Sequence, residues 1–271
     1  MDSQTHRLGF IGAGKLAGSV IRGLMRAKFC PAGDIIASEP NEQTRAALQK
    51  ETGICLTAEN AEVADRAEVI FIGVKPAMVL PVLRELSDKL QSKVVISLAG
   101  GVRISSMEKS ANARFMRALT NTPSAVCRAA TGIAKGSRTT SEDVDLATKI
   151  FGAIGVVVEV DEKQIDAVTA LSGSGPAFVY TVIEALAKGG IKMGLSDEVA
   201  LKLAAQTVLG AATLMQESKM SPEELVKMVV TPGGTTAAGL AAMEKLGTSE
   251  SLIAAIEAAT KRGQEMAREN L

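Results

Sequence analysis

Hydrophobic positions in the first 160 residues fall into short unbroken runs separated by stretches of helical spacing. Leu8-Gly-Phe-Ile-Gly12 predicts a strand, and Leu16, Val20, Ile21 and Leu24, spaced for one helical face, predict a helix after it. Asp34-Ile-Ile-Ala-Ser38 predicts a second strand, and Asn41 is placed to cap a helix that runs to about Lys50. Glu68-Val-Ile-Phe-Ile-Gly-Val74 and Lys93-Val-Val-Ile-Ser-Leu98 are strongly apolar strands on either side of a helix over Pro76 to Leu90. Ala113 to Met116 and Gly155 to Val160 continue the series, with a helix near Ser141 to Phe151 between them. Strands that are apolar nearly throughout and alternate with helices predict a parallel sheet covered on both faces.

After Asp161 the pattern changes. Strand signals vanish, and helical periodicity continues to the end, broken at Ser172-Gly-Ser-Gly-Pro176, Gly194, Ser221-Pro222, Thr231-Pro-Gly-Gly234 and Gly247. A length of 271 residues is enough for two modest domains, and the change of pattern places their boundary near residue 162. The segment Leu201 to Met215 is apolar on nearly all sides and rich in Ala and Gly. Such a helix belongs between neighbours, and a helical domain this small buries it best in a subunit interface.

Charge and composition narrow the chemistry. Thirty basic and thirty acidic residues balance, so no net field draws nucleic acid or an anionic membrane, and any anion must be held by local geometry. One Tyr, no Trp and six Phe supply few stacking platforms for unpaired bases. Cys30, Cys55 and Cys127 are odd in number and widely spaced, which reads as ordinary thiols in a reducing cytoplasm, with no metal site. No leader or membrane-spanning run is evident. The one histidine, His6, precedes the first strand and reads as solvated, which excludes mechanisms that need a histidine base deeper in the chain.

Gly12, Gly14 and Ala17 form GxGxxA between a predicted strand and helix, the context that gives this pattern physical meaning. Gly12 permits the turn, Gly14 lets backbone approach a pyrophosphate, and Ala17 brings the helix close to the sheet. The fold class that follows is a Rossmann-type α/β domain over residues 1–162, binding a dinucleotide, and an all-α domain over 163–271. Glu39 follows the second strand, where a carboxylate suits the ribose hydroxyls of NADH, while Ser38, Asn41 and Arg45 lie near enough to hold the extra phosphate of NADPH. Lys75, at the carboxyl end of the next apolar strand, is placed for the ribose or nicotinamide. Ser97 to Gly101 and Asn121-Thr-Pro123 leave room beside it.

Phe10-Ile-Gly-Ala-Gly14, Gly73-Val-Lys-Pro76, Asn121-Thr-Pro123, Asp166 to Ala177, Lys192-Met-Gly-Leu195 and Thr231-Pro-Gly-Gly-Thr-Thr236 together closely resemble pyrroline-5-carboxylate reductase, in order and over nearly the whole chain. The resemblance implies reduction of 1-pyrroline-5-carboxylate to L-proline by NADPH or NADH, the last step of proline biosynthesis. It also implies a helical domain that dimerises, with dimers gathering into a decamer. Carried over by motif, Gly12, Ala13, Gly14, Lys15 and Leu16 lie on the cofactor, Asn60, Val74 and Lys75 border it, and Gly100 approaches the nicotinamide. Glu162, Thr231, Gly233, Gly234, Thr235 and Thr236 contact substrate, and Thr236 and Ser174 are the catalytic candidates. Many members have Ser where this chain has Glu39, which leaves the choice between NADPH and NADH open.

A protonated imine is already a good hydride acceptor, so orientation and a dry pocket suffice without a metal. Two other readings compete. A β-hydroxyacid dehydrogenase also joins a Rossmann-type domain to a helical one and would use Lys188 as base. A non-catalytic dinucleotide sensor would keep the fold and lack turnover.

Overall fold

The computed structural model describes residues 6–269. Met1 to Thr5 and the side chain of His6 lie outside the described residues, so the solvation expected of His6 does too; its backbone opens the first strand. The chain divides into two compact units, residues 1–174 with 257–271, and residues 175–256.

In the first unit the elements are β1 (His6–Ile11), α1 (Lys15–Arg26), β2 (Ile35–Ser38), α2 (Glu42–Thr52), β3 (Cys55–Thr57), α3 (Asn60–Arg66), β4 (Ala67–Ile72), α4 (Pro76–Glu85), β5 (Val94–Ser97), α5 (Ile104–Ser110), β6 (Arg114–Leu119), β7 (Ala129–Lys135), α6 (Ser141–Gly152), β8 (Gly155–Glu159) and α7 (Ile165–Val168). The eight strands form one sheet in the order β3-β2-β1-β4-β5-β6-β7-β8. All pairs are parallel except β6 with β7, so the wholly parallel sheet expected from sequence is mixed at one side. β7 lies between the two strands that the pattern placed together. Its sequence, Ala-Ala-Thr-Gly-Ile-Ala-Lys, carries one large apolar residue and so gives little strand signal.

Central strands are apolar because both faces are covered. On one face α1, α2 and α6 pack Val20, Ile21, Leu24, Leu48, Ile150 and Phe151 against the sheet, where Phe10 stacks on Phe71 at 4.5 Å. On the other, α3, α4, α5 and α7 contribute Val63, Val79, Leu83, Met107 and Ile165. Local signals set the helix limits: Asn41 Oδ1 accepts from Thr44 N at 2.9 Å to start α2, and Gly53, at φ +70°, ends it.

The second unit holds α8 (Gly175–Lys192), α9 (Asp197–Ser218), α10 (Pro222–Val229), α11 (Thr235–Lys245) and the first part of α12 (Thr248–Glu269), whose later residues belong to the first unit. Gly194 and Gly247, both at positive φ, make the stops read from sequence. Ser196 and Ser221 cap α9 and α10. Buried apolar packing here amounts to Ala187, Ala200 and Ala204, with Ile183 beside them. Leu201, Leu203, Leu209 and Leu214 of α9 stay exposed. By length and composition α9 is also the one described helix that matches a membrane span.

The segment Ser172 to Pro176 narrows the break expected of it to a bend at Ser174. Residues Thr169–Gly173 form a π turn that carries on from α7 to that bend, and Ser174 N donates to Thr169 O, five residues back, at 2.9 Å. Pro176 has no N–H for Ser172 O, four residues before it. Asn121 Nδ2 supplies that donor at 3.2 Å.

Candidate active site

The carboxyl ends of β1, β2 and β4 bring the dinucleotide fingerprint together. Gly12, at φ +86°, turns the chain after β1, and a Cβ there would lie 2.7 Å from Val74 Cγ1. Gly12 N and Ala13 N donate to Ser38 O at 3.1 and 2.8 Å, which ties the turn to the end of β2. A Cβ on Gly73 would collide with Gly12 O and lie 2.7 Å from Ala17 Cβ, so two small residues let α1 approach the sheet. Gly14 is the N-cap of α1 and has open space where a Cβ would stand. The first helical bond runs from Gly18 N to Gly14 O at 2.7 Å, so the amides of Lys15, Leu16 and Ala17 have no partner within α1. An open glycine beside unpaired amides at a helix N-terminus fits a pyrophosphate.

The remaining residues of this group are close by in the fold. Ser38 is fully buried, and its hydroxyl donates to Asn60 Oδ1 at 2.7 Å. Lys75 is exposed and caps α4 through its carbonyl. Glu39 Oε1 accepts from Asn41 N at 3.0 Å. Gly100 meets only Thr169 Cγ2, at 3.6 Å from a Cβ position, while Gly101, at φ +68°, is pressed against Met266 of α12.

Glu162 begins the segment that leads to the π turn. Its Oε1 accepts from Ile104 N at 2.6 Å, capping α5 from a distance, and from Arg117 Nη1 at 3.4 Å. Arg117 was not singled out from sequence, although an arginine inside the apolar run Phe115 to Leu119 is a visible warning of a buried charge. Its side chain is 2 % exposed, and Nε and Nη2 have no hydrogen-bond partner. Burial lowers the Arg117 pKa, opposed by Glu162 and Asp166. Arg103, Arg117, Glu162, Asp166 and Arg268 line a polar cavity of about 330 Å³.

In the second unit Thr231 to Gly234 turn the chain into α11. Gly233 sits at φ +71°, and the Thr231 hydroxyl occupies the place where a Cβ of Gly234 would stand. Gly234 N donates to Thr231 O at 3.0 Å, so this amide is engaged within the turn. Gly234 caps α11 with no side chain, which leaves the amides of Thr235 and Thr236 without helical partners. Thr236 also lines an apolar cavity of about 480 Å³ with Leu214, Met215, Leu225, Val229 and Leu240. Ser174, at the end of the π turn, is half-buried. Lys188, the base that an alcohol dehydrogenase reading requires, is an exposed residue paired with Glu184. Among the described residues no cluster of His, Cys, Asp and Glu is arranged to hold a metal.

Residues 162–266 match the family model of pyrroline-5-carboxylate reductase dimerisation, and residues 7–101 match that of NADP oxidoreductase, coenzyme F420-dependent. Pyrroline-5-carboxylate reductase of Pisum sativum is 41% identical over 266 residues, covering 97% of both chains. This chain belongs to the pyrroline-5-carboxylate reductase family. Among solved structures, pyrroline carboxylate reductase of Plasmodium falciparum with NADP bound superposes with a TM-score of 0.88 at 30% identity, covering 97% of this chain and 99% of that one. The reductase of Coxiella burnetii gives 0.88 at 35% identity, with the same coverage of both chains. Membership makes the chain a nicotinamide-dependent oxidoreductase and gives its helical unit a dimerisation role.

Proposed function

We propose that this chain reduces 1-pyrroline-5-carboxylate to L-proline with hydride from NADPH or NADH, as a cytoplasmic homodimer that assembles further into a decamer. The observation that carries the substrate assignment is the N-terminus of α11, uncapped by any side chain and preceded by a glycine turn. Amides of Thr235 and Thr236 suit the substrate carboxylate, with Thr231, Gly233 and Gly234 shaping the turn around it. The Thr236 hydroxyl donates to the ring nitrogen as it gains electron density, and Ser174 contributes a hydroxyl near the reacting ring. Three free thiols support a reducing compartment.

On the cofactor side, Gly12, Ala13, Gly14, Lys15 and Leu16 are assigned to the pyrophosphate. Ser38, Glu39 and Asn60 are assigned to the adenosine end, and Val74, Lys75 and Gly100 to the nicotinamide end. When bound, the nicotinamide supplies the hydride. It adds to the imine carbon, the C=N electron pair moves to nitrogen, and the protonated imine becomes the secondary amine of proline. No side chain has to withdraw a proton to start the reaction, in keeping with a fold that has no histidine beyond His6. For Glu162, the hydrogen bonds from Ile104 and Arg117 support a positioning role, holding α5 behind the Gly100-Gly101 turn.

Purified protein with the imine and either cofactor tests this through loss of nicotinamide absorbance. Thr236→Ala should lower kcat/KM for the imine about 10- to 100-fold and change cofactor affinity little. Unchanged kcat/KM, or an equal loss of cofactor binding, would remove Thr236 from the substrate site.

A further inference from the structure

Resting on the reading of a nicotinamide dinucleotide site, we infer that this chain selects NADH over NADPH through Glu39, whose carboxylate is fixed by Asn41 while Arg45 is turned onto the backbone. The two cofactors differ only at the adenosine 2′ position, a hydroxyl in one and a phosphate in the other. In this fold that position lies beside the residue following the second strand.

Ser38, Asn41 and Arg45, the side chains nearest to a 2′-phosphate there, each make another contact. Ser38 is fully buried, its hydroxyl donating to Asn60 Oδ1 at 2.7 Å and accepting from Gly12 N at 3.3 Å. Asn41 uses its side chain to cap α2 at Thr44 N, and its own N–H to hold Glu39 Oε1 at 3.0 Å. Arg45, the cation in the first turn of α2, donates from Nη1 to Glu39 O at 2.7 Å and to Pro40 O at 3.4 Å, bonding backbone and not the Glu39 carboxylate. The group left to meet the ribose is therefore a carboxylate with one oxygen fixed and the other able to accept from a hydroxyl. Glu39 and Arg45 are both half-buried, which reduces screening of the charge. A hydroxyl gains a charge-assisted hydrogen bond at this place, whereas a phosphate meets a like charge.

Titration of the purified protein with NADH and with NADPH, without imine and followed by nicotinamide fluorescence, reads this choice apart from turnover. NADH should bind at least about tenfold more tightly, and the ratio of kcat/KM values with imine present should follow. Glu39→Gln keeps an acceptor for Asn41 N–H and removes the charge. It should tighten NADPH binding about tenfold and weaken NADH binding severalfold, as the charge-assisted bond to the ribose hydroxyl becomes a neutral one. In Glu39→Ser, which also removes the charge, NADPH should gain at least as much. Equal or tighter binding of NADPH by the wild-type protein, or an unmoved ratio in Glu39→Gln, overturns the inference while leaving the reductase reading in place. If neither dinucleotide binds, both fall together.

Discussion

Asp143 shows how one residue can carry several tasks in the first unit. Its carboxylate accepts from Arg114 Nε at 2.7 Å and Nη2 at 3.2 Å, and from Thr140 N at 3.0 Å, while the Thr140 hydroxyl accepts from Asp143 N to close a capping box on α6. Burial alone would raise the Asp143 pKa, but hydrogen bonds from Arg114 and Thr140 outweigh it and hold the carboxyl below its usual range. A depressed pKa stabilises the fold above the unfolded value of about 3.9, and that contribution is lost as pH falls through the folded value. Asp143→Ala should cost about 2–4 kcal/mol in urea unfolding at neutral pH, with the gap to wild type closing below about pH 4. The pattern Gly12, Gly14 and Ala17 was legible at this scale because Gly12 and Ala17 answer local steric demands, while Gly14 leaves open space at the start of α1. The engagement of Ser38 with Asn60 was not, since it depends on two residues that meet only when β2 and α3 pack.

At the scale of elements, the π turn depends on a residue far from it in sequence. Asn121, 7% exposed, donates to Ser172 O and accepts from Ala130 N at 3.3 Å, and the Ser172 hydroxyl donates to Ala130 O. Asn121→Ala should therefore cost about 1–3 kcal/mol and speed amide exchange at Ala130, measured by hydrogen exchange on the folded protein. Unchanged exchange would mean that Asn121 does not hold the turn. Periodicity found β1, β2, β4, β5, β6 and β8, whose apolar runs have no competing reading. It missed the three-residue β3 at the sheet edge and β7, where small residues fill a strand between two neighbours, and it read Ser172 to Pro176 as a break. Gly, Ser and Pro together signal a loop in most contexts, whereas here the break shrinks to a bend at Ser174 after a π turn that Asn121 supports.

At the scale of the whole molecule, the helical unit cannot bury itself. Three alanines form its buried core, and the leucines of α9 face outward. The dimerisation family match at 162–266 spans α9, the helix apolar enough to resemble a membrane span. Leu209, 55% exposed, lies near the middle of α9, and Leu209→Asp should shift the assembly to smaller species by analytical ultracentrifugation. The variant's melting temperature should also fall relative to wild type, because wild-type stability includes association. Retained assembly would place the interface elsewhere. The apolar texture of Leu201 to Met215 made an interface legible from sequence. The return of residues 257–269 to the sheet unit was not, because local periodicity says nothing about which distant surface a helix face will meet.

That return has a consequence for the order of synthesis. All eight strands leave the ribosome before the helical unit does, and Met266, which packs against Gly101, emerges later still. The Gly100-Gly101 turn therefore has no covering helix while residues 175–256 are being made, and the unit begun first is completed last.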